Sequence, residues 1–106
     1  MKRTLPGEVW RIDFGMAAKV RPALVLSDFP KDEELALLVV VPHTTSVRQS
    51  KWEVIVPKSF LKPGAFHLQQ IQPVPLARFD VKLGMLSEDE LKHVRQRMVE
   101  LLHLVD

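Results

Sequence analysis

Hydrophobic and polar residues alternate along much of this chain, and the period changes once. Glu8, Trp10, Ile12 and Phe14 interleave with Val9, Arg11 and Asp13, a period of two that predicts a strand with one large apolar face. Residues 15–19 form a short loop, and residues 23–27 a second strand. Residues 28–34 are a charged turn. Residues 35–41 are apolar almost throughout, as expected of a central strand buried on both faces. A polar loop, 43–51, carries Arg48 and Lys51. Residues 52–56 alternate again as a fourth strand, and residues 58–64 make a turn with Pro63 and Gly64.

Residues 65–71 read as a fifth strand. Pro73 and Pro75 confine the next four residues to a sheet edge or a crossing segment. Residues 81–86 form a last short strand, interrupted by Gly84. The period then becomes helical: Leu91, Val94, Met98, Leu101, Leu102 and Val105 share one face. Ser87 and Glu90 have the spacing of a capping box, and Glu88 and Asp89 suit the positive end of the helix dipole. Short strands followed by one amphipathic helix give an α+β fold, mainly β. Trp10, alternating with Ile12 and Phe14, is assigned to the core rather than to stacking on a base.

Composition narrows the class. A chain of 106 residues suits one domain spanning 1–106. With 46% hydrophobic and 26% charged residues it has the balance of a soluble globule. The formal net charge is only +2, which permits contact with a polyanion without demanding it. There is no cysteine, hence no disulfide framework and no thiolate metal site. No carboxylate cluster or histidine pair has metal-ligand spacing, so neither metal nor cofactor is expected. No apolar run reaches signal-peptide or membrane-spanning length, and a cytoplasmic location is the default expectation.

The richest chemistry lies between residues 21 and 45. Arg21 heads the second strand directly before Pro22, and Thr44 and Thr45 follow the third just after Pro42. If these strands pair antiparallel, a guanidinium and two hydroxyls meet on one patch, a combination suited to a phosphate group. The blocks Gly7-Glu8-Val9-Trp10-Arg11-Ile12-Asp13-Phe14, Arg21-Pro22-Ala23-Leu24-Val25-Leu26-Ser27 and Val41-Pro42-His43-Thr44-Thr45-Ser46 resemble the MazF/PemK (Kid) family of toxins. Trp52-Glu53-Val54, Gln69-Gln70-Ile71 and the C-terminal helix extend the resemblance over nearly the whole chain.

This resemblance implies a small SH3-like barrel and a metal-independent endoribonuclease of a type II toxin–antitoxin system. Such an enzyme cuts single-stranded RNA through 2′-hydroxyl attack, leaving a 2′,3′-cyclic phosphate and a 5′-hydroxyl. It further implies a homodimer, no membrane partner, and an acidic MazE-like antitoxin lying across the RNA groove. Arg21 takes the family's catalytic position as phosphate cation, and Thr44 that of the threonine contacting the scissile phosphate. Thr45 matches a neighbouring Ser/Thr position. Gln70 matches a glutamine beside the catalytic strand, and Arg48 and Lys51 are placed to meet RNA phosphates.

The sequence departs from the family in two places. The loop after Phe14 is shorter than usual and lacks a Glu-Gln pair. Where PemK-type members carry an arginine and an aspartate two apart as acid and base, this chain has His67 and Gln69. Glutamine cannot take a proton at neutral pH, whereas histidine ordinarily titrates near pH 6.5 and serves as acid or base. Either His67 has taken over proton transfer, or the site is weakened and the chain is an RNA-binding relative. His43, beside Thr44 but pointing to the other side of the strand, ranks second as a proton shuttle. His93 and His103, on the helix, are expected in solvent. A third reading is a CcdB-like inhibitor that binds DNA gyrase, which would have no use for a phosphate site.

Overall fold

The computed structural model describes residues 3–15 and 19–104, and among them seven strands precede one helix. The strands are β1 (Glu8–Asp13), β2 (Val20–Val25), β3 (Leu37–Thr44), β4 (Glu53–Val54), β5 (Ala65–His67), β6 (Gln72–Pro75) and β7 (Phe79–Met85); α1 spans Glu88–Leu102. Every pairing is antiparallel, in the order β4-β5-β3-β2-β1-β7, with β6 also on β3. Among the described residues no ladder joins β4 to β7. The fold is therefore mainly β, but the sheet stays open rather than closing into a barrel. Met16, Ala17 and Ala18, in the shortened loop, and Val105, at the end of the helical stripe, lie outside the described residues.

Both faces of the central strands are buried. Val9, Leu24 and Val41 point to one core with Val54, Phe66 and Leu68, and α1 covers that core with Leu91, Val94 and Met98. Their neighbours Trp10, Ile12, Ala23, Val25, Leu38 and Val40 fill a second core on the other face. The double burial expected of β3 thus extends to β1, whose Val9 is wholly buried although its alternation had placed it outside. Trp10 is core, as expected, and its indole N–H donates to the Glu8 carboxylate at 3.0 Å. Burial alone would raise the Glu8 pKa. The Trp10 donor and the Lys82 ammonium, 3.2 Å away, outweigh it and hold the carboxyl below its ordinary value.

α1 begins where expected. The Ser87 hydroxyl accepts from the Glu90 N–H at 3.2 Å, and the Glu90 carboxylate accepts from the Ser87 N–H at 2.7 Å. The apolar stripe ends sooner than its periodicity implied, because Leu102 in the last turn is exposed. β7 starts at Phe79, two residues earlier than predicted. Its Gly84 lets the Phe60 ring lie on the strand: a Cβ there would stand 2.4 Å from a ring carbon.

Prolines determine where the ladders stop. Val39 turns both its N–H and its carbonyl toward the β2 side: the N–H donates to the Ser27 hydroxyl, and the carbonyl accepts from the Leu26 N–H. Leu24 and Val41 therefore form a hydrogen-bonded pair, and the next such pair would need an N–H from Pro22. The β2–β3 ladder ends at Ala23 and Pro42. On the other edge of β3 the residues offering backbone groups are Leu38, Val40, Pro42 and Thr44, by the same alternation.

Pro42 has no N–H to give there, and the facing chain leaves the ladder. Residues 65–71, expected as one strand, are instead β5 followed by the 3-10 turn Leu68–Gln70. On its other side the Leu68 N–H donates to the Trp52 carbonyl at 2.9 Å, which carries the β4–β5 register one residue further. Pairing resumes at Gln72 with Val40 and Val74 with Leu38, which turns Pro73 and Pro75 to the outer side of β6.

Candidate functional site

The interrupted ladders position the polar residues. Arg21 lies inside β2, opposite Ile12 of β1 and two residues beyond the end of the ladder to β3 at Ala23. Thr44 is the last residue of β3, opposite Ala65. Arg21, expected at the head of its strand, lies within it, and Thr44, expected just past β3, is its last residue. That expectation missed that β2 continues to pair with β1, and β3 with β5, beyond their prolines. His67 closes β5, and Gln69 and Gln70 sit on the exposed 3-10 turn that follows.

A groove of about 430 Å³ is lined by Arg21, Thr44, Arg48, His67, Gln69 and Gln70, together with Ser46 and Ser50. The elements contributing to it are β2, β3, the loop after β3, β5 and the 3-10 turn. Arg21 and Thr44 also form a wall of a second depression, about 460 Å³, whose lining includes Thr45, His43, Lys19 and Lys62. A third, about 420 Å³, runs from Arg21 past Pro42 and Gln70 toward Phe14 and Ile71. Thr45 thus opens to the far side of the Arg21–Thr44 wall from His67. Lys51 does not line the groove; its ammonium lies 4.6 Å from the centroid of the Trp52 ring.

The groove is cationic and rich in hydroxyls. Its lining holds two guanidiniums, an imidazole, three hydroxyls and two carboxamides, and no carboxylate. The Thr44 hydroxyl oxygen accepts from the Ser46 N–H at 3.0 Å, which leaves its own hydrogen available to donate. His67 is half-buried, and its Nδ1 is shielded and makes no hydrogen bond.

His43 points to the opposite side of its strand from Thr44, as expected. It is buried, with its ring edge-on to Phe66 at a centroid distance of 5.1 Å. Burial lowers its pKa, so it is neutral at physiological pH and sits as a core histidine. His93 is exposed on α1, and His103, expected on the helix, is exposed at its C-cap.

Glu53, Ser46 and Ser50 escaped the sequence reading. Glu53, given no role in the sequence beyond its strand and the resemblance block, has a carboxylate that accepts from the N–H groups of Arg48 and Ser50, each at 2.7 Å. The sequence signal available was the spacing of a carboxylate three residues after a serine in a polar loop, a turn-forming pattern. Among the described residues no group of three or more histidines, aspartates or glutamates has the geometry to hold a metal ion, and no helix is long and apolar enough to cross a membrane.

A family model described as PemK-like, MazF-like toxin of type II toxin–antitoxin system matches residues 5–102. No curated protein matches the chain by sequence. Among solved structures, an endoribonuclease in complex with its cognate antitoxin, from a mycobacterial species, superposes with a TM-score of 0.81 at 23% identity, over 97% of this chain and 98% of that one. A MazE–MazF complex from Deinococcus radiodurans gives 0.79 at 23% identity, over 96% and 97%. The Mycobacterium tuberculosis toxin MazF-mt6 gives 0.79 at 21% identity, over 93% and 99%. At these identities the superpositions establish a shared fold.

Proposed function

Because the chain belongs to the PemK-like, MazF-like family of type II toxins, we propose that it is an endoribonuclease that cuts single-stranded RNA without a metal ion, with Arg21, Thr44 and His67 at its reactive centre. The observation that carries this reading is the convergence of these three side chains, from three different strands, on one groove with no carboxylate in its lining. Folds of this kind are used for more than one activity, so the site rather than the architecture must supply the reaction.

RNA brings its own nucleophile. In the proposed reaction the scissile phosphate rests between Arg21 and Thr44. The guanidinium offers a bidentate fork to the non-bridging oxygens, and the hydroxyl donates to one of them. His67, in its neutral form, takes the proton of the 2′-hydroxyl as the 2′-oxygen attacks phosphorus. The bond from phosphorus to the 5′-oxygen breaks, that oxygen takes a proton from water in the open groove, and the products are a 2′,3′-cyclic phosphate and a 5′-hydroxyl.

In-line displacement puts attacking and leaving oxygens on opposite sides of phosphorus. A single imidazole therefore serves one of them, and Gln69 cannot serve the other because a carboxamide does not exchange protons at neutral pH. This predicts a slower reaction than a complete acid–base pair would give. Arg48, Gln69 and Gln70 line the path of the flanking nucleotides. The single subunit offers only an open groove, and a symmetric homodimer would lengthen it. The same cationic surface suits an acidic, MazE-like antitoxin segment.

The test is incubation of the purified protein with mixed-sequence single-stranded RNA in EDTA. Expected are cleavage with cyclic-phosphate ends, its loss in Arg21→Ala, and a decrease of at least about a hundredfold in His67→Ala, the usual scale of general acid–base catalysis. RNA that is retained but uncut would make the chain an RNA-binding relative, the alternative that Gln69 favours. Protein that neither cuts nor holds RNA would end the proposal.

A further inference from the structure

The loop between β3 and β4 carries two of the groove-lining residues, Arg48 and Ser50, and its backbone is held in an unusual way. Gln49, between them, has φ 63°, in the left-handed region that residues other than glycine, asparagine and aspartate seldom adopt. The N–H groups on either side, those of Arg48 and Ser50, converge on one acceptor, the Glu53 carboxylate, at 2.7 Å each. Successive N–H groups around a left-handed residue form a concave anion site, and here the anion comes from the chain itself. The turn is closed further by the Glu53 N–H donating to the Ser50 carbonyl at 3.2 Å and by the Trp52 N–H donating to the Ser50 hydroxyl at 3.2 Å. Glu53 lies on β4 directly across from His67 on β5.

We propose that Glu53 is a positioning residue for the groove: its carboxylate holds the 46–52 loop in the one conformation that presents Arg48 and Ser50 to the substrate phosphates, on the strand pair that also carries His67. This rests on the reading of the groove as an RNA site and adds to it a residue that does not touch RNA. Three facts support it. Glu53 is only half-buried, so two charge-assisted bonds to backbone donors are more than a partly solvated carboxylate needs. They act on two of the three loop residues that line the groove, Arg48 and Ser50, the third being Ser46. And the strained residue lies between the bonds, where loss of the acceptor would release it.

The Arg48 and Ser50 N–H groups, with a smaller contribution from the His67 charge, also hold the Glu53 carboxyl below its ordinary pKa. The titratable group facing Glu53 is His67 on β5; from the loop, Arg48 and Ser50 meet it with their backbone N–H groups. Protonation in acid therefore removes the acceptor charge without any mutation.

The experiment has an arm that needs no RNA. Amide exchange is followed by NMR in the free protein, wild type and Glu53→Gln. A glutamine side chain keeps one acceptor oxygen but turns an NH2 toward the other N–H. Expected is a loss of protection of about tenfold or more at the Arg48 and Ser50 amides, with the β2–β3 amides unchanged; the same loss appears in the wild type on acidification. Unchanged protection at both amides, in the variant and in acid, would overturn the proposal. The acid arm also decides the matter if the variant does not fold.

The second arm measures steady-state cleavage of mixed-sequence single-stranded RNA. Glu53→Gln is expected to raise KM about tenfold with kcat within about twofold, and to add nothing further in an Arg48→Ala background. Equal effects in the two backgrounds would show that Glu53 acts only on general stability and would refute the positioning role. If the wild type cuts no RNA, the proposed function fails, while the amide arm still decides whether Glu53 sets the loop.

Discussion

Gly64 offers the sharpest test of how the groove is assembled. It leads into β5, and a Cβ placed on it would stand 2.1 Å from the Thr44 carbonyl oxygen, 2.9 Å from the Thr44 carbonyl carbon and 2.8 Å from the His43 ring. Its backbone is not in the left-handed region, so alanine is conformationally acceptable and its whole effect is steric. An ordinary contact begins near 3.4 Å, so β5 must retreat from β3 by more than an ångström, and the nearest obstacle is backbone that cannot rotate away.

Overpacking of this kind costs about 1–3 kcal/mol. In a chain of this size that lowers Tm by roughly 5–20 °C. The functional effect should exceed the loss of folded protein. His67 rides on β5 and Thr44 on β3, and a displacement of about 1 Å between reacting groups can cost on the order of a hundredfold in rate. Gly64→Ala is therefore expected to melt lower and, at a temperature where it is fully folded by circular dichroism, to cut single-stranded RNA about a hundredfold more slowly. A variant with wild-type Tm would show that the strands do not approach as closely as described. A variant with lowered Tm but unchanged rate would show that the spacing of β3 and β5 does not set the reactive geometry.

Three further outcomes follow from named contacts. Arg21→Lys should lose most cleavage activity, at least about tenfold, while binding of mixed-sequence RNA falls less, because a point charge does not replace a bidentate fork; comparing rate constants with filter-binding affinities checks this. Burial lowers the His43 pKa below its ordinary 6.5. The unfolded chain then takes up that proton more readily, so the His43 contribution is fully present above about pH 6.5 and is lost as pH falls below it. Denaturant unfolding at pH 7.5 and 5.0 should show a smaller difference in His43→Gln than in the wild type. Ser87→Ala removes one half of the capping box and should cost about 1 kcal/mol, read as a lower denaturant midpoint at unchanged slope.

Much of the architecture could be read from the sequence because it follows from short-range rules. The helix start at Ser87 needs only a serine, a glutamate three residues on and an apolar stripe. The continuous apolar run before Pro42 announced a strand buried on both faces. The meeting of Arg21 with Thr44 required only that two adjacent strands pair antiparallel. What escaped depends on which way each peptide group faces, and side-chain alternation does not report that. Pro42 was visible from the start, but its effect is felt across the sheet, where residues 68–70 leave the ladder and become a turn. Likewise Val9 belongs to a buried face because α1 covers it, a tertiary fact absent from the pattern of β1 itself. Glu53 was hidden because its partners are backbone N–H groups, which carry no residue identity.

The two prolines of β6 also shape how the protein behaves in a crowded solution. Pro73 and Pro75 face outward, so the free rim of that strand shows water a row of carbonyls with the intervening donors deleted. A stray extended peptide, or the same rim of a second molecule, finds too few hydrogens there to zip onto. At this margin the chain resists seeding of cross-β fibrils, even though its central strands would be aggregation-prone if bared.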